Sequence, residues 1–548
     1  MKHYFAYFND AFRTQWDKPA ISNFDGDISY TYGEFAAKVA QLDVLYELLG
    51  IQQGDKIAIC GRNSANWALG YISIAAYKAV VVSILQDFKG EDIQGLVNHS
   101  DAQVLLVGPY VWKTIHPEAM TNVKVVISLQ DFSILYSQNE EYNDVVERAA
   151  QLFATRYPNG YRKEDLHFPT DNLDDLALIN YTSGSTGAPK GVMLSYRSLS
   201  NNVEQGMYVL PNKYGEEEVS MLPLAHAYGQ LADFLLQLAT GCHVYYLQKS
   251  PTPTTLMHAF QQVHPYMIIT VPLVIEKLYK KSIQPILQRP IIRKLWNMPL
   301  TAPFIRRTVR KKLMKAFGGN VRYFLCGGAA INPEVERCLM DIHFPLTIGY
   351  GMTECGPLVS GTRPKKFIAR SSGQILMNME AKVVPIEEGN PIGEIYVRGA
   401  NVMMGYYKNE EATRAVMTDD GWMKTGDLGI IDKKGYIFLK GRNKNMILGA
   451  SGQNIYPEEI EDKLNNLEGV VESIVVEREG RLYGLVFPDY SKDGDTEKGE
   501  RSLLEIMKDN LKKLNEMLPS YSKVSKLEMM EKEFEKTPKR SIKRFLYK

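Results

Sequence analysis

Cysteine is scarce. The 548 residues hold five (Cys60, Cys242, Cys326, Cys338, Cys355), scattered and odd in number. A disulfide framework is therefore excluded, and a reducing compartment is expected. No CxxC pair or Cys/His cluster has zinc-site spacing, so a structural metal of that kind is excluded too. Charge of one sign is not in excess: 64 Lys and Arg stand against 63 Asp and Glu, a formal net charge of +1. That balance argues against a chain built to grip nucleic acid. Long apolar runs are also missing. The nearest, Trp67 to Leu85, is cut by Lys78, where hydrocarbon tolerates a charge least. The N-terminal MKHYFAYFNDAFRTQWDKPA lacks the unbroken apolar core of a signal peptide. Together these absences lead us to expect a cytoplasmic protein.

What is present is an ordinary globular composition, 45% apolar and 23% charged. From about residue 20 to 440, short β-branched runs (KIAIC, AVVVSIL, AQVLLVG, VKVVISL, HVYYL, YMIITV, VRYFLC, PLTIGY) alternate with helical patterns. This rhythm predicts an α/β fold, a large domain of parallel or mixed sheets covered by helices. WALGYISIAAY reads as a buried helix and AVVVSIL as the buried strand after it. Between Gly389 and Gly441 glycines and turn signals crowd, and EIYVRG and YIFLKG read as antiparallel strands of a small barrel-like part. The texture changes again after Lys440. A helix opens at Pro457 with Glu458, Glu459 and Glu461 in its first turns and Ile460, Leu464 and Leu467 on one face. Strands VESIVVE and RLYGLVF and a charged helix follow. Two domains are expected, 1–443 and a small mobile α+β domain, 444–548.

One stretch departs from the charge balance. From Glu276 to Lys315 twelve Lys or Arg accompany a single acid, Glu276, with Trp296, Phe304 and several Ile and Leu among them. It reads either as a solvated helical face or as a basic amphipathic surface lying on an anionic membrane through residues 277–315, at the inner face of the cell membrane, each cation contributing about 1 kcal/mol.

The most informative string is YTSGSTGAPKG, Tyr181 to Gly191, directly after the apolar LALIN. Glycines and small hydroxyl residues let backbone N–H groups come close to a polyanion, and Lys190 adds a mobile positive charge. A Walker A loop cannot be placed on it. The string resembles the phosphate-binding signature of the adenylate-forming superfamily of acyl-CoA synthetases, adenylation domains and luciferases. The resemblance continues in order through LPLAHAYG (222–229), GGAAIN (327–332), YGMTE (350–354), GYY (405–407), GWMKTGDLG (421–429) and GRNKNMILGASGQNIYPEEIE (441–461). It covers nearly the whole chain. VPLVIEKLYKK and the basic stretch after it look most like the long-chain fatty acid–CoA ligases.

The resemblance implies ATP, Mg²⁺ and coenzyme A as reactants and cofactor, and a set of site residues. Thr182, Ser183, Gly184, Ser185, Thr186, Gly187 and Lys190 would hold the triphosphate, and Glu354, with Thr186, the Mg²⁺. An ion bound by one carboxylate plus phosphates and waters suits magnesium's octahedral, reluctantly dehydrated chemistry. Tyr350, with Gly351, would stack on adenine and Thr353 would sit near the α-phosphate. Gly327, Gly328 and Ala329 would form a flat backbone edge between adenine and acyl pocket. Asp427 and Arg442 are the implied ribose partners, a carboxylate on two vicinal hydroxyls making charge-assisted bonds. His226 would lie at the carboxylate end of the acyl site, although a lone histidine is also an ordinary structural residue.

Lys444 occupies the family's hinge position, about which the small domain would rotate between two half-reactions. The loop at Gly449, Gly452 and Gln453 would then line the pantetheine channel. One departure stands out. The family's closing K-T-x-x-[GRK]-K-I-x-R motif reads KTPKRSIKR here, Lys536 to Arg544, so Ser541 replaces the lysine that bridges carboxylate and α-phosphate. If the segment is extended, Lys539 and Lys543 flank Ser541 on one face at about 7 Å, and Lys543 is the expected catalytic substitute.

The expected function is therefore ATP-dependent activation of a long-chain fatty acid as acyl-AMP and its transfer to coenzyme A. Two alternatives stay open. The acceptor is an acyl carrier protein, whose acidity would suit the basic stretch, or the chain is a degenerate ATP- and fatty-acid-binding homologue with weak adenylation.

Overall fold

A computed structural model describes the chain except residues 183–188, 250, 329–330, 449–453, 494–500, 538–541 and 548, and the side chains of 273, 281, 282, 492 and 521. The chain forms two compact units. One comprises Met1–Glu380 with Arg398–Gly421, the other Ala381–Val397 with Trp422–Lys548.

The first unit holds two large sheets. The eight-stranded sheet runs Gly405–Tyr406, Lys190–Ser195, Leu176–Thr182, Val80–Ile84, Lys56–Cys60, Ala102–Val107, Val125–Ser128, Ile134–Ser137. From Leu176–Thr182 to Val125–Ser128 its strands pair in parallel, and both edges pair antiparallel. Continuous Val, Ile and Leu runs suit strands covered on both faces, and every residue of Val80–Ile84 and Val125–Ser128 is buried. The predicted helix is Ala65–Ala76, capped by Ser64, whose hydroxyl accepts the Trp67 N–H. It is buried nearly end to end, which is why it carries no polar face.

The seven-stranded sheet runs Leu346–Ile348, Tyr323–Cys326, Met267–Thr270, Glu217–Ser220, His243–Tyr246, Pro19–Asn23, Ser29–Thr31, parallel apart from the last pair. Each predicted βα strand is present within a residue or two. One small antiparallel sheet, Tyr350–Gly351, Leu358–Gly361 and Gln374–Ile375, completes the unit.

Nearly all of a four-stranded sheet, Met379–Pro385, Gly393–Gly399, Met423–Ile431 and Ile437–Arg442, belongs to the second unit. EIYVRG and YIFLKG are its second and fourth strands, each antiparallel to Met423–Ile431. The helix predicted from Pro457 runs to Leu464 and buries Ile460 and Leu464. It packs with helix Leu503–Glu516 on a sheet of Val470–Arg478, Arg481–Pro488 and Val524–Met529. Leu467 lies past the helix end and is partly buried on the same core.

Candidate active site

The glycine-rich string joins two antiparallel strands, Leu176–Thr182 and Lys190–Ser195, and the register sets Thr182 opposite Lys190. Thr182 is buried. Gly191, next to Lys190, admits no side chain: a Cβ there would stand 2.9 Å from Ile179 Cγ2 and 3.2 Å from the Tyr181 ring. Ser183, Gly184, Ser185, Thr186 and Gly187 lie outside the described residues.

Beside Lys190–Ser195, the edge strand Gly405–Tyr406 pairs antiparallel, Tyr406 opposite Val192. The Tyr407 N–H donates to Gly191 O at 2.7 Å and the Met404 N–H to Met193 O at 2.9 Å. This docking places the Tyr406 ring 4.9 Å from Lys190 Nζ, a cation–π geometry. The same ring's hydroxyl donates to Glu354 Oε1 at 2.9 Å, and Met403 N–H donates to the Glu354 carbonyl at 2.8 Å. Burial and the adjacent Glu354 carboxylate push the phenol well above its usual range, so it stays a donor at physiological pH. Tyr406 thus links the loop lysine to the lone acid of YGMTE. Nothing in the residue pattern marked Tyr406 for this role, since a tyrosine after Gly405 is also an ordinary edge-strand residue.

Among the described residues no group of three or more His, Cys, Asp or Glu is placed to hold a metal ion. A single carboxylate braced by a phenol fits a hard divalent cation that takes its other oxygens from phosphates and water.

Tyr350 and Gly351 form a two-residue strand, Tyr350 opposite Ser360 and Gly351 opposite Leu358. Tyr350 and Thr353 are buried. A Cβ on Gly351 would fall 2.0 Å from Pro357 O, so only glycine passes that backbone. Gly327 lies flat against Tyr228, whose ring atoms would stand 3.0–3.2 Å from an added Cβ, and Gly328 adopts φ +85°. The Tyr228 hydroxyl donates to Leu325 O at 3.3 Å. Ala329 lies outside the described residues.

His226 caps the short helix Ala227–Gln230, its Nδ1 accepting the Tyr228 N–H at 3.3 Å. That bond puts the proton of the neutral imidazole on Nε2. The loop carrying His226 is held by two residues that sequence reading passed over. Asp233 Oδ2 accepts the Met221 and Leu222 N–H groups at 2.8 and 2.9 Å. Asn63 Nδ2 donates to Leu222 O at 2.6 Å, and its Oδ1 accepts the Leu224 N–H at 3.0 Å. Asp233 is fully buried, and burial lifts its carboxyl from 3.8 to about 7. Its signal was an acid alone in the apolar run LADFLLQL.

In the second unit, the two predicted ribose partners stand opposite each other in register and form an ion pair, Arg442 Nε to Asp427 Oδ1 at 2.7 Å. Asp427 is buried and its partner half exposed. Lys444 is exposed, on a short turn whose flanks are pinned: Asn443 Nδ2 donates to Glu394 at 3.0 Å and Asn445 Nδ2 to Glu458 at 2.6 Å. Lys543 Nζ lies 3.4 Å from Glu535 Oε2. Beside it, Arg544 pairs with the buried Glu461. Lys539, Ser541, Gly449, Gly452 and Gln453 lie outside the described residues.

The profile of the AMP-binding enzymes matches residues 8–407, and that of the AMP-binding enzyme C-terminal domain matches 444–547. The chain belongs to the AMP-binding enzyme family. It is thus an adenylate-forming protein, close to the fatty acid–CoA ligases. This AMP-binding protein is 27% identical over 570 residues to a chloroplastic long-chain-fatty-acid–[acyl-carrier-protein] ligase of Arabidopsis thaliana, covering 89% of this chain and 76% of that one. It is 26% identical over 501 residues to long-chain-fatty-acid–CoA ligase 1 of Saccharomyces cerevisiae, covering 82% and 71%. Its fold matches the ATP-bound crystal structure of MatB from Rhodopseudomonas palustris with a TM-score of 0.75 and 21% identity, over 100% and 98% of the chains.

Proposed function

We propose that the protein is an AMP-forming ligase that activates a long-chain fatty acid with ATP and Mg²⁺ and passes the acyl group to coenzyme A. The observation that carries this reading is the Lys190–Tyr406–Glu354 bridge, a cation and an anion fixed on one phenol at the end of the glycine-rich string. In the first half-reaction a fatty acid carboxylate oxygen attacks the α-phosphorus of ATP, the bond to the β-phosphate oxygen breaks, and pyrophosphate leaves. Thr182, Lys190 and the hydroxyls of Ser183, Ser185 and Thr186, with the backbone of Gly184 and Gly187, bind the polyphosphate, screening the charge the two anions bring together. Glu354 and Thr186 would hold Mg²⁺, which would add charge neutralisation on the phosphate oxygens.

Tyr350 and Gly351 receive adenine, Thr353 faces the α-phosphate, and Gly327, Gly328 and Ala329 give the flat edge beside it. The Asp427 carboxylate accepts the ribose hydroxyls, with Arg442 fixing its orientation. His226 orients the acyl carboxylate, and Lys543 supplies the cation that Ser541 does not. In the second half-reaction the coenzyme A thiolate attacks the acyl carbon and AMP leaves. Domain 444–548 turns about Lys444 to admit the thiol, and Gly452 leaves room for the pantetheine.

Likeness to a carrier-protein ligase supports a second acceptor, holo-acyl carrier protein. The deciding experiment is turnover with ATP, Mg²⁺ and saturated acids of graded length, offering coenzyme A or holo carrier protein and reading products by mass. Long-chain acyl-CoA is expected. Product only on the carrier would replace the acceptor, and neither acyl-AMP nor thioester would leave a nucleotide- and fatty-acid-binding protein.

A further inference from the structure

The helices Pro290–Asn297 and Ala302–Ala316 form a basic hairpin joined by Met298–Thr301. The longer helix buries Val309 and Leu313, with Ile305 and Met314 partly buried, on the core of the seven-stranded sheet. Phe304, Arg307, Thr308, Lys311 and Lys315, at helical spacing on the other side, are exposed. A solvated face accounts for these cations. It does not account for the apolar side chains among them: Leu300, Phe304 and Ile291 are 83%, 75% and 73% exposed, the three most exposed large apolar side chains among the described residues. Met298 joins them at the hairpin tip. A cluster of that kind marks a surface that meets something.

Charge selects the occupant. Residues 277–315 contain no acid. Arg306 is used internally, over the Trp296 ring at 5.3 Å and 3.9 Å from Asp341. The seven other cations from Arg293 to Lys315 form no ion pair among the described residues. We infer that this hairpin docks the protein on an anionic lipid surface, Leu300, Phe304, Met298 and Ile291 entering between headgroups while the flanking cations meet lipid phosphates. Protruding apolar tips on a convex turn fit an interface that yields around them, and cations suit its negative potential. The inference does not rest on the catalytic reading, because it is read without turnover.

The test uses the full-length chain in co-sedimentation with vesicles of phosphatidylcholine, alone or with about 30% phosphatidylglycerol, at low and high salt. Binding to the anionic vesicles is expected at low salt, falling about tenfold on adding salt or omitting phosphatidylglycerol. The pairs Leu300→Ser/Phe304→Ser and Arg307→Glu/Lys311→Glu should each reduce it about tenfold with an unchanged thermal melt. The five native cysteines are buried, so Leu300→Cys can be labelled selectively with an environment-sensitive dye. Its emission should shift blue on anionic vesicles only. Absence of sedimentation, equal binding to neutral vesicles, or unaltered binding in both double variants would overturn the inference. So would a dimer in sedimentation velocity that Leu300→Ser/Phe304→Ser converts to monomer, or capture of acyl carrier protein by a chain inert to vesicles.

Discussion

The Tyr406 hydroxyl donates to the Glu354 carboxylate at 2.9 Å while the ammonium of Lys190 stands 4.9 Å from the centre of the same ring. Three segments far apart in the chain, ending at 190, 354 and 406, meet on one side chain. The phenol meets the two opposite charges on separate parts of itself, the cation over the ring and the carboxylate at the hydroxyl.

Tyr406→Phe isolates the hydroxyl. The ring beneath Lys190 stays, and only the bond to Glu354 goes, a bond to a charged acceptor worth about 1.5–3 kcal/mol. The Mg²⁺ concentration for half-maximal acid-dependent ATP–pyrophosphate exchange should rise about tenfold, with a smaller change in the KM for ATP. An unchanged Mg²⁺ midpoint would separate Tyr406 from metal binding.

The pair at the proposed ribose site gives a prediction on affinity. Asp427 is buried and Arg442 about half exposed, so Arg442→Ala strands a buried carboxylate whereas Asp427→Asn removes the charge with the pair. Both should raise the KM for ATP about tenfold, Asp427→Asn with a nearly unchanged melting temperature and Arg442→Ala with a lowered one. An equal loss with ATP and 2′,3′-dideoxy-ATP would remove the ribose hydroxyls from the explanation.

Asp233 predicts a pH dependence. Burial raises its folded carboxyl from 3.8 to about 7, so between these values the folded state binds more protons than the unfolded one. Stability from this group is therefore greatest below about pH 4 and falls as pH rises towards 7. Glu218, on the neighbouring strand and also raised by burial, acts in the same direction. Asp233→Asn keeps an oxygen for the Met221 and Leu222 N–H groups and removes the ionisation. Its melting temperature should exceed the parent's by about 2 °C or more near pH 8, with the gap narrowing near pH 5. A gap independent of pH would show that the Asp233 carboxyl titrates in the fold as it does in the unfolded chain, with no upward shift from burial.

In the proposed adenylation step, Ser541 leaves a charge to be supplied. Lys543→Ala should lower acid-dependent ATP–pyrophosphate exchange about 100-fold, the scale of removing one transition-state donor. Thioester formation from synthetic acyl-AMP should change much less. Full exchange in Lys543→Ala, Lys539→Ala and the double variant would show that neither lysine substitutes.

The hydrophobic pattern of this chain determined a great deal alone. Runs such as VVVSI and KIAIC are β-branched, short and fenced by turn residues, and such runs have few ways to be buried other than as inner strands of a covered parallel sheet. The glycines at 191 and 351 stood in motifs legible from sequence, but that a Cβ there would strike Ile179, Tyr181 or Pro357 is a finding of the structure. The sequence also put Asp427 and Arg442 forward together, and one strand register pairs them.

What only tertiary structure decided were relations between segments with no periodicity in common. Tyr406 reaches Glu354 because an edge strand two residues long pairs with Lys190–Ser195. Asn63 and Asp233 grip the His226 loop from separate elements. Burial made Asp233 a weak acid, and the packing of one helix face left Phe304 in solvent. Local pattern records whether a side chain prefers water. Which partner it meets depends on how distant strands and helices stack, and that is fixed only when the whole core closes.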